Sequence, residues 1–323
     1  NFNNHIGLPL TLLQLAEDTQ MAVIEMGMSG RGEIELLSRL AMPEAAVITN
    51  IGEAHLLQLG SREEIAAAKL EITAGLRADG LLVYNGDEPL LQRKMDELEG
   101  IDKLLRFRFG SDDHNDYYPV AVMQHKTFTT FKLNVPFTPT YTLPLPGRHN
   151  IMNALAAIAI AKFMGVAEAD IVRGLSKLKL SGMRTEFVQT AGGATIINDA
   201  YNASPSSMRA AIQMLEEFKT NGRKIAVLGD MLELGEQEEA YHREIGEQLN
   251  SQKIDYVFTV GPLAACIAEE AAKHYPQGKV LQFDDNQAVA VKLEELLEPN
   301  DLCLIKASRG MKLEEIVAKL TQA

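Results

Sequence analysis

Apolar residues along this chain come in two rhythms. Met21-Ala22-Val23-Ile24, Ala45-Ala46-Val47-Ile48 and Leu81-Leu82-Val83-Tyr84 are short, unbroken apolar runs, the pattern of strands covered on both faces. Between the first two, Ile34, Leu36, Leu37 and Leu40 fall at helical spacing. Ser61 followed by Glu64 is a capping-box pattern, which opens a predicted helix through about Leu76. Strands alternating with helices in this way predict a mostly parallel α/β sheet.

From about Leu104 to Leu145 the pattern changes. Thr, Val, Phe and Tyr dominate, interrupted by Pro136, Pro139, Pro144 and Pro146, which predicts a small antiparallel insert. A long helix is predicted from near Asn150 to Phe163. A second, with Ile171, Leu175 and Leu178 on one face, leads to Ser181-Gly182-Met183. The domain boundary is placed there, dividing the chain into residues 1–182 and 183–323. The second part restarts the α/β rhythm, with strands predicted at Thr195-Ile196-Ile197, Ile225–Leu228, Tyr256–Thr259, Val280–Phe283 and Leu302–Ile305. That pattern predicts a Rossmann-like sheet with ligand groups at the carboxyl ends of its strands.

Composition narrows the function classes. A net charge of −13, from 31 Lys+Arg against 44 Asp+Glu, argues against general nucleic-acid binding, which needs a basic footprint. No apolar run reaches the roughly 18 residues that would cross a bilayer. Cys266 and Cys303 both lie in apolar segments, so no disulfide framework is expected and a reducing cytoplasm fits. The start, Asn1-Phe2-Asn3-Asn4-His5, has neither Met nor a signal pattern and reads as a cut inside a longer chain. A monomer is the default expectation.

Candidate chemistry sits where predicted strands end. Glu25 follows the first apolar run and can hold Mg²⁺ beside a phosphate; read alone, it is more readily a solvated strand-end carboxylate. His55, in Asn50-Ile51-Gly52-Glu53-Ala54-His55, can ligate a metal through neutral imidazole or simply pack in a loop. Two neighbouring parallel strands ending in Glu and His would aim both groups at one crevice. Lys69, among Ala66, Ala67 and Ala68, is either a surface lysine or, near a metal, an amine able to take up CO₂ as a carbamate oxygen ligand. Asn150 and Asn153 are spaced to share a helix face and to read a base edge, with Asn150 as a plain N-cap the alternative.

Arg184, just past the boundary, is a cation available to a γ-phosphate. Asp199 can bind ribose hydroxyls and Tyr201 can lie against an adenine, or the segment is a turn capped by Ser204. Ser308 and Arg309 can hold a carboxylate at a helix start. No Gly-x-x-x-x-Gly-Lys-[Ser/Thr] motif is present to cradle the β- and γ-phosphates.

Taken in order, Asn1–Pro9, Glu25-Met26-Gly27, Asn50–His55, Ala68–Ile72, Gly147-Arg148-His149-Asn150, Asp199–Pro205, Leu228-Gly229-Asp230-Met231 and Ser308-Arg309-Gly310-Met311 resemble the Mur ligases of peptidoglycan synthesis over the whole chain. The resemblance implies an ATPase-like central domain followed by the Rossmann-like one. It also implies ATP-dependent amide bond formation through an acyl phosphate. The Asn-rich start and the Ser-Arg-Gly-Met loop favour the branch that joins D-alanyl-D-alanine to UDP-N-acetylmuramoyl-tripeptide. The folylpolyglutamate and cyanophycin synthetase types, and a non-catalytic Mur-like binding module, are the alternatives.

By the same resemblance, Glu25 and His55 hold Mg²⁺, with Lys69 carbamylated at a second ion. His149, Asn150, Asn153, Asp199, Tyr201 and Asn202 contact ATP. Arg184 meets the γ-phosphate, and catalysis rests on Lys69, Arg184 and His55. Asn3, Asn4, Ser308 and Arg309 contact the other substrates. The family carries a UDP-binding domain and a Gly-Lys-Thr loop upstream of the stretch matching Asn1. The expectation is therefore that residues 1–323 alone form no amide bond and bind ATP weakly.

Overall fold

The computed structural model describes residues 2–125, 127–179 and 182–321. Asn1, at the head of the family-like stretch, and Ser181, in the predicted boundary, lie outside the described residues. The chain forms two compact units, one of residues 1–124, 128–144 and 148–177, the other of 178–323 with the short segments 125–127 and 145–147.

The first unit is built on β1 (Ala45–Ile48), β2 (Leu81–Asn85) and β3 (Leu105–Phe109), all parallel in the order β1-β2-β3. β2 is buried along Leu81–Tyr84 because alternate side chains feed two different cores. Leu82 and Tyr84 pack with Ile65, Leu91 and Met95 on one face. Leu81 and Val83 pack with Ile151, Leu155 and Ile158 of the Arg148–Phe163 helix on the other. Covered on both faces, that central strand has no solvent side, which is why it reads as continuous apolar sequence.

The insert is β4 (Pro119–Gln124), β5 (Thr129–Leu133) and β6 (Tyr141–Leu143), an antiparallel sheet in that order. Phe131 and Tyr141 stack with ring centroids 5.4 Å apart and join the core beneath the long helix.

Four details differ from the sequence reading. Met21–Ile24 is not a strand: the segment has no regular structure, and Val23 is 98% exposed. A strand needs a neighbour to complete its ladder, and among the described residues β1 pairs within its sheet only with β2. Leu105–Phe109, read as the start of the insert, belongs to the parallel sheet beside β2. The Arg62–Leu70 helix has only half of its capping box: Ser61 accepts from Glu64 N, while the Glu64 carboxylate turns to Arg31. Leu178 lies beyond the Glu168–Ser176 helix and is exposed.

The second unit carries β7 (Glu186–Gln189), β8 (Thr195–Asn198), β9 (Lys224–Gly229), β10 (Tyr256–Val260), β11 (Val280–Phe283) and β12 (Leu302–Lys306) in one sheet, ordered β11-β10-β9-β12-β8-β7. All neighbours are parallel except β7, which runs antiparallel to β8 at the edge and escapes the sequence reading. Alternation again supplies two cores. Ala226, Leu228, Val257 and Leu304 face Met208, Ile245 and Ile267, while Ile225, Val227, Phe258 and Ile305 face Val289, Leu293 and Ile316. Gly246 lets two helices touch: a Cβ there would stand 2.4 Å from Ile267 O. Cys266 and Cys303 are buried free thiols.

Candidate functional site

In the first unit the loop leaving β1 is anchored before it reaches His55. Ile51 is buried, and its carbonyl accepts from Arg62 Nη2 at 2.8 Å; the same nitrogen donates to Glu88 Oε2 at 2.9 Å. Lys69, in the last turn of the Arg62–Leu70 helix, donates from Nζ to Asn50 O at 2.7 Å. Thus the lysine and the His55 loop are joined at the end of β1. His55 occupies the left-handed region at φ 66°, ψ 23° as the N-cap of the Leu56–Leu59 helix. For a residue with a side chain that conformation is uncommon and concentrates at functional positions.

Burial lowers the Lys69 ammonium to about 8, against the opposing pull of Glu88. The neutral amine is therefore roughly two orders of magnitude more abundant at neutral pH than in an ordinary lysine. CO₂ reacts with that neutral form, so the residue suits carbamylation. A carboxylate, an imidazole and a carbamate, if brought together, would make a donor set fit for a hard divalent cation.

Glu25 is held separately. Asn3 Nδ2 donates to Glu25 Oε1 at 3.0 Å, and Gly27 N donates to Asn3 O at 2.8 Å. The Asn3 amide lies so close that a Cβ on Gly27 would stand 2.7 Å from it. Asn4 turns inward to its own helix: its Oδ1 accepts from Ile6 N at 3.1 Å and Gly7 N at 2.9 Å. The structure thus pairs Asn3 with Glu25 and Lys69 with the His55 loop, and commits the Asn4 carbonyl to a local turn.

His149, Asn150 and Asn153 stand in the first turns of the long helix, which begins at Arg148. Asn150 is its third residue, which removes the plain N-cap alternative. Asn153 is exposed, and Ile151 and Leu155 hold the opposite face in the core.

In the second unit the strand-end groups of β8 and β12 meet. Lys306 Nζ donates to Asp199 Oδ2 at 2.5 Å and to Asn202 O at 3.0 Å. The other Asp199 oxygen accepts from Thr185 N at 3.0 Å. Both oxygens expected to meet a ribose are therefore engaged within the protein, because a lysine 3% exposed draws the carboxylate inward. Tyr201 likewise has company: the Arg184 guanidinium carbon lies 4.2 Å from its ring centroid. Asn202 Oδ1 accepts from Ala203 N at 2.9 Å. Ser204 caps the Pro205–Glu217 helix as the turn reading expected, in a reciprocal box with Ser207.

Ser308 is 4% exposed and binds only protein here, accepting from Leu232 N at 2.8 Å and donating to Ala203 O at 3.3 Å. Its hydroxyl ties three strand-end loops together. Arg309 beside it is exposed and pairs with Glu314 at 3.0 Å.

Two groups lay outside the sequence reading. His242 is fully buried, accepting from Met231 N at 2.9 Å, while its Nδ1 faces Glu238 O at 2.6 Å. Asp87, Asp112 and His114 bring ligand atoms within 4.8 Å of one another. Burial pushes the Asp87 carboxyl up, but donors from Ser111, Asn115 and Asp112 outweigh it and hold the group below the usual carboxylate range. That carboxylate clamps a turn. A strand ending in Asn85-Gly86-Asp87 signals the turn, but not the partners it gathers.

Comparison with known proteins gives a consistent result. The Mur ligase middle domain matches residues 1–161, and the Mur ligase glutamate ligase domain matches residues 183–309. The UDP-N-acetylmuramoyl-tripeptide–D-alanyl-D-alanine ligase of Bacillus subtilis is 52% identical over 323 residues, covering 100% of this chain and 69% of its own length. Its Escherichia coli counterpart is 36% identical, with 100% and 70% covered. Among solved structures, MurF from Acinetobacter baumannii superimposes with a TM-score of 0.89 at 31% identity, covering 100% of this chain and 69% of that one. MurF ligase from Thermotoga maritima, in complex with ADP, gives 0.82 at 28% identity, with 99% and 71% covered.

Proposed function

This chain belongs to the Mur ligase family, and from that premise we propose that it is the ATP-using part of a ligase that joins D-alanyl-D-alanine to UDP-N-acetylmuramoyl-tripeptide. The observation that carries the chemistry is the Lys69 amine, lowered to about 8 and bonded at 2.7 Å to the loop that leads to His55. A surface lysine would have neither property. The proposed domains are 1–182 and 183–323, the second beginning where the second family match begins. A cytoplasmic location belongs to the same proposal, since ATP and a UDP-linked precursor are its substrates.

The reaction transfers the γ-phosphoryl group of ATP to the terminal carboxylate of the tripeptide. The D-alanyl-D-alanine amine then attacks the acyl carbon, an amide C–N bond forms, and the C–O bond to phosphate breaks. Phosphoryl transfer between anions depends on placed positive charge more than on covalent help. Glu25, His55 and a carbamylated Lys69 would hold Mg²⁺, whose charge offsets the repulsion between the two anions. His149, Asn150 and Asn153 present polar groups on one helix end for the nucleotide. Arg184 supplies a cation for the phosphoryl group, and Arg309 an exposed cation for the carboxylate of the incoming dipeptide.

Residues 1–323 contain no Gly-x-x-x-x-Gly-Lys-[Ser/Thr] loop, so we propose that they form no amide bond unaided. The test is phosphate release with UDP-N-acetylmuramoyl-tripeptide, ATP and D-alanyl-D-alanine. It compares this chain with a fusion carrying the uncovered segment of the Bacillus subtilis relative. Activity confined to the fusion, and dependent on all three substrates, is the expected result. Amide formation by residues 1–323 alone, or a fusion that prefers glutamate as acceptor, contradicts the proposal.

A further inference from the structure

We infer that Lys306 is a positioning residue which, through Asp199, holds a strained turn and so sets the guanidinium of Arg184 on the ring of Tyr201. This deepens the ligase reading and rests on it only for the phosphate role of Arg184.

Lys306 ends β12 and is 3% exposed, a placement that strongly disfavours an ammonium unless its donors are satisfied. Both partners come from the loop after β8: Asp199 Oδ2 at 2.5 Å and Asn202 O at 3.0 Å. The lysine therefore fixes that loop at two points, on either side of Tyr201. The loop in turn grips the residues flanking Arg184. Tyr201 N donates to Met183 O at 3.1 Å, and Thr185 N donates to Asp199 Oδ1 at 3.0 Å. Glu186 adds a third tie, accepting from Met183 N at 3.1 Å and from Asn198 Nδ2 at 3.1 Å.

The turn so gripped is under strain. Met183 has φ 64° and Thr185 φ 48°, on either side of Arg184. The left-handed region is costly for any residue with a Cβ and most so for a β-branched one such as threonine. Such a conformation persists only where its surroundings over-determine it. Here the Thr185 N–Asp199 bond does so, and the Asp199 carboxylate is kept in place by Lys306. Without that anchor Thr185 relaxes to negative φ, which redirects the adjoining Arg184 peptide and lifts the guanidinium from Tyr201. Lys306 thereby acts on Arg184 without touching it.

The test reads the arginine directly, in nucleotide-free protein. With arginine labelled in ¹³C and ¹⁵N, the Arg184 δ-protons are expected upfield of the other arginines because of the Tyr201 ring current; Arg184→Lys removes the signal and Tyr201→Leu the shift. Lys306→Met is expected to abolish the upfield shift, and Lys306→Arg to restore at least half of it. A second variant guards against loss of fold: Asp199→Leu combined with Lys306→Met replaces the ion pair by apolar groups of similar size, a change folds commonly tolerate. It is expected to stay folded and to lose the shift. An unchanged Arg184 shift in folded Lys306→Met, or in the double variant, overturns the inference. The readout needs no ligase turnover, so its failure and failure of the ligase reading are distinguishable.

Discussion

Lys69 and Asn50 are joined by a 2.7 Å hydrogen bond from an amine to a backbone carbonyl, across 19 residues of chain. The bond places a partly buried lysine at the carboxyl end of β1, where a parallel sheet presents its ligand groups. Burial there disfavours the ammonium form and brings the group to about 8.

A pH dependence of stability follows. The Lys69 value is about 8 when folded and 10.5 in the ordinary state, so the unfolded chain binds more protons between those limits. The destabilising contribution is fully present below about 8 and fades as pH rises towards 10.5, by about 3 kcal/mol. Lys69→Met should flatten the rise in urea midpoint over that window. A midpoint difference between the two proteins that stays constant across it contradicts the assignment.

In the second unit the contribution is stabilising rather than destabilising, though stability there too grows as pH rises. Burial raises the Asp301 carboxyl, but Arg223 and backbone donors outweigh it and leave the group below its ordinary value. Arg223 grips it through Nη2 at 2.6 Å and Nε at 3.1 Å. A depressed carboxylate stabilises the fold above its unfolded value, and that contribution is lost as pH falls through the folded one. Asp301→Asn should cost about 3 kcal/mol at neutral pH and much less in acid, measured by denaturant titration of the 183–323 transition.

Neighbouring Ser308 and Arg309 should part company. Ser308→Ala leaves Leu232 N without its buried acceptor and should cost about 1–3 kcal/mol. Arg309→Ala, at an exposed position, should change stability by less than about 0.5 kcal/mol while weakening dipeptide binding to the complete enzyme. Thermal melts of the two variants, with the dipeptide KM for each, separate the roles.

How much the residues announce depends on whether their partners are local. β2 is legible because four consecutive apolar residues suffice for a strand covered on both sides. Met21–Ile24 has the same local signal but no ladder, since pairing is a property of distant neighbours. β7 hides for a related reason: an edge strand of Glu186, Phe187, Val188 and Gln189 carries polar ends and a short apolar middle. At the site, His55 and Lys69 stand out by their position beside a strand end and in an alanine-rich helix. Lys306 does not, because its meaning lies in Asp199, 107 residues away. Asp199 and Ser308 look like exposed loop groups in sequence; folding turns both inward.

The central claim is that Glu25, His55 and Lys69 line one magnesium–phosphate crevice. Paramagnetic broadening by Mn²⁺ with ADP tests it most directly, using ¹³C-labelled side chains in the fusion protein. The His55 ring, the Lys69 ε-methylene and the Glu25 γ-methylene should broaden together at substoichiometric Mn²⁺, with Asp112 and His114 left sharp. Broadening centred on Asp112 and His114, or of only one of the three, would contradict it.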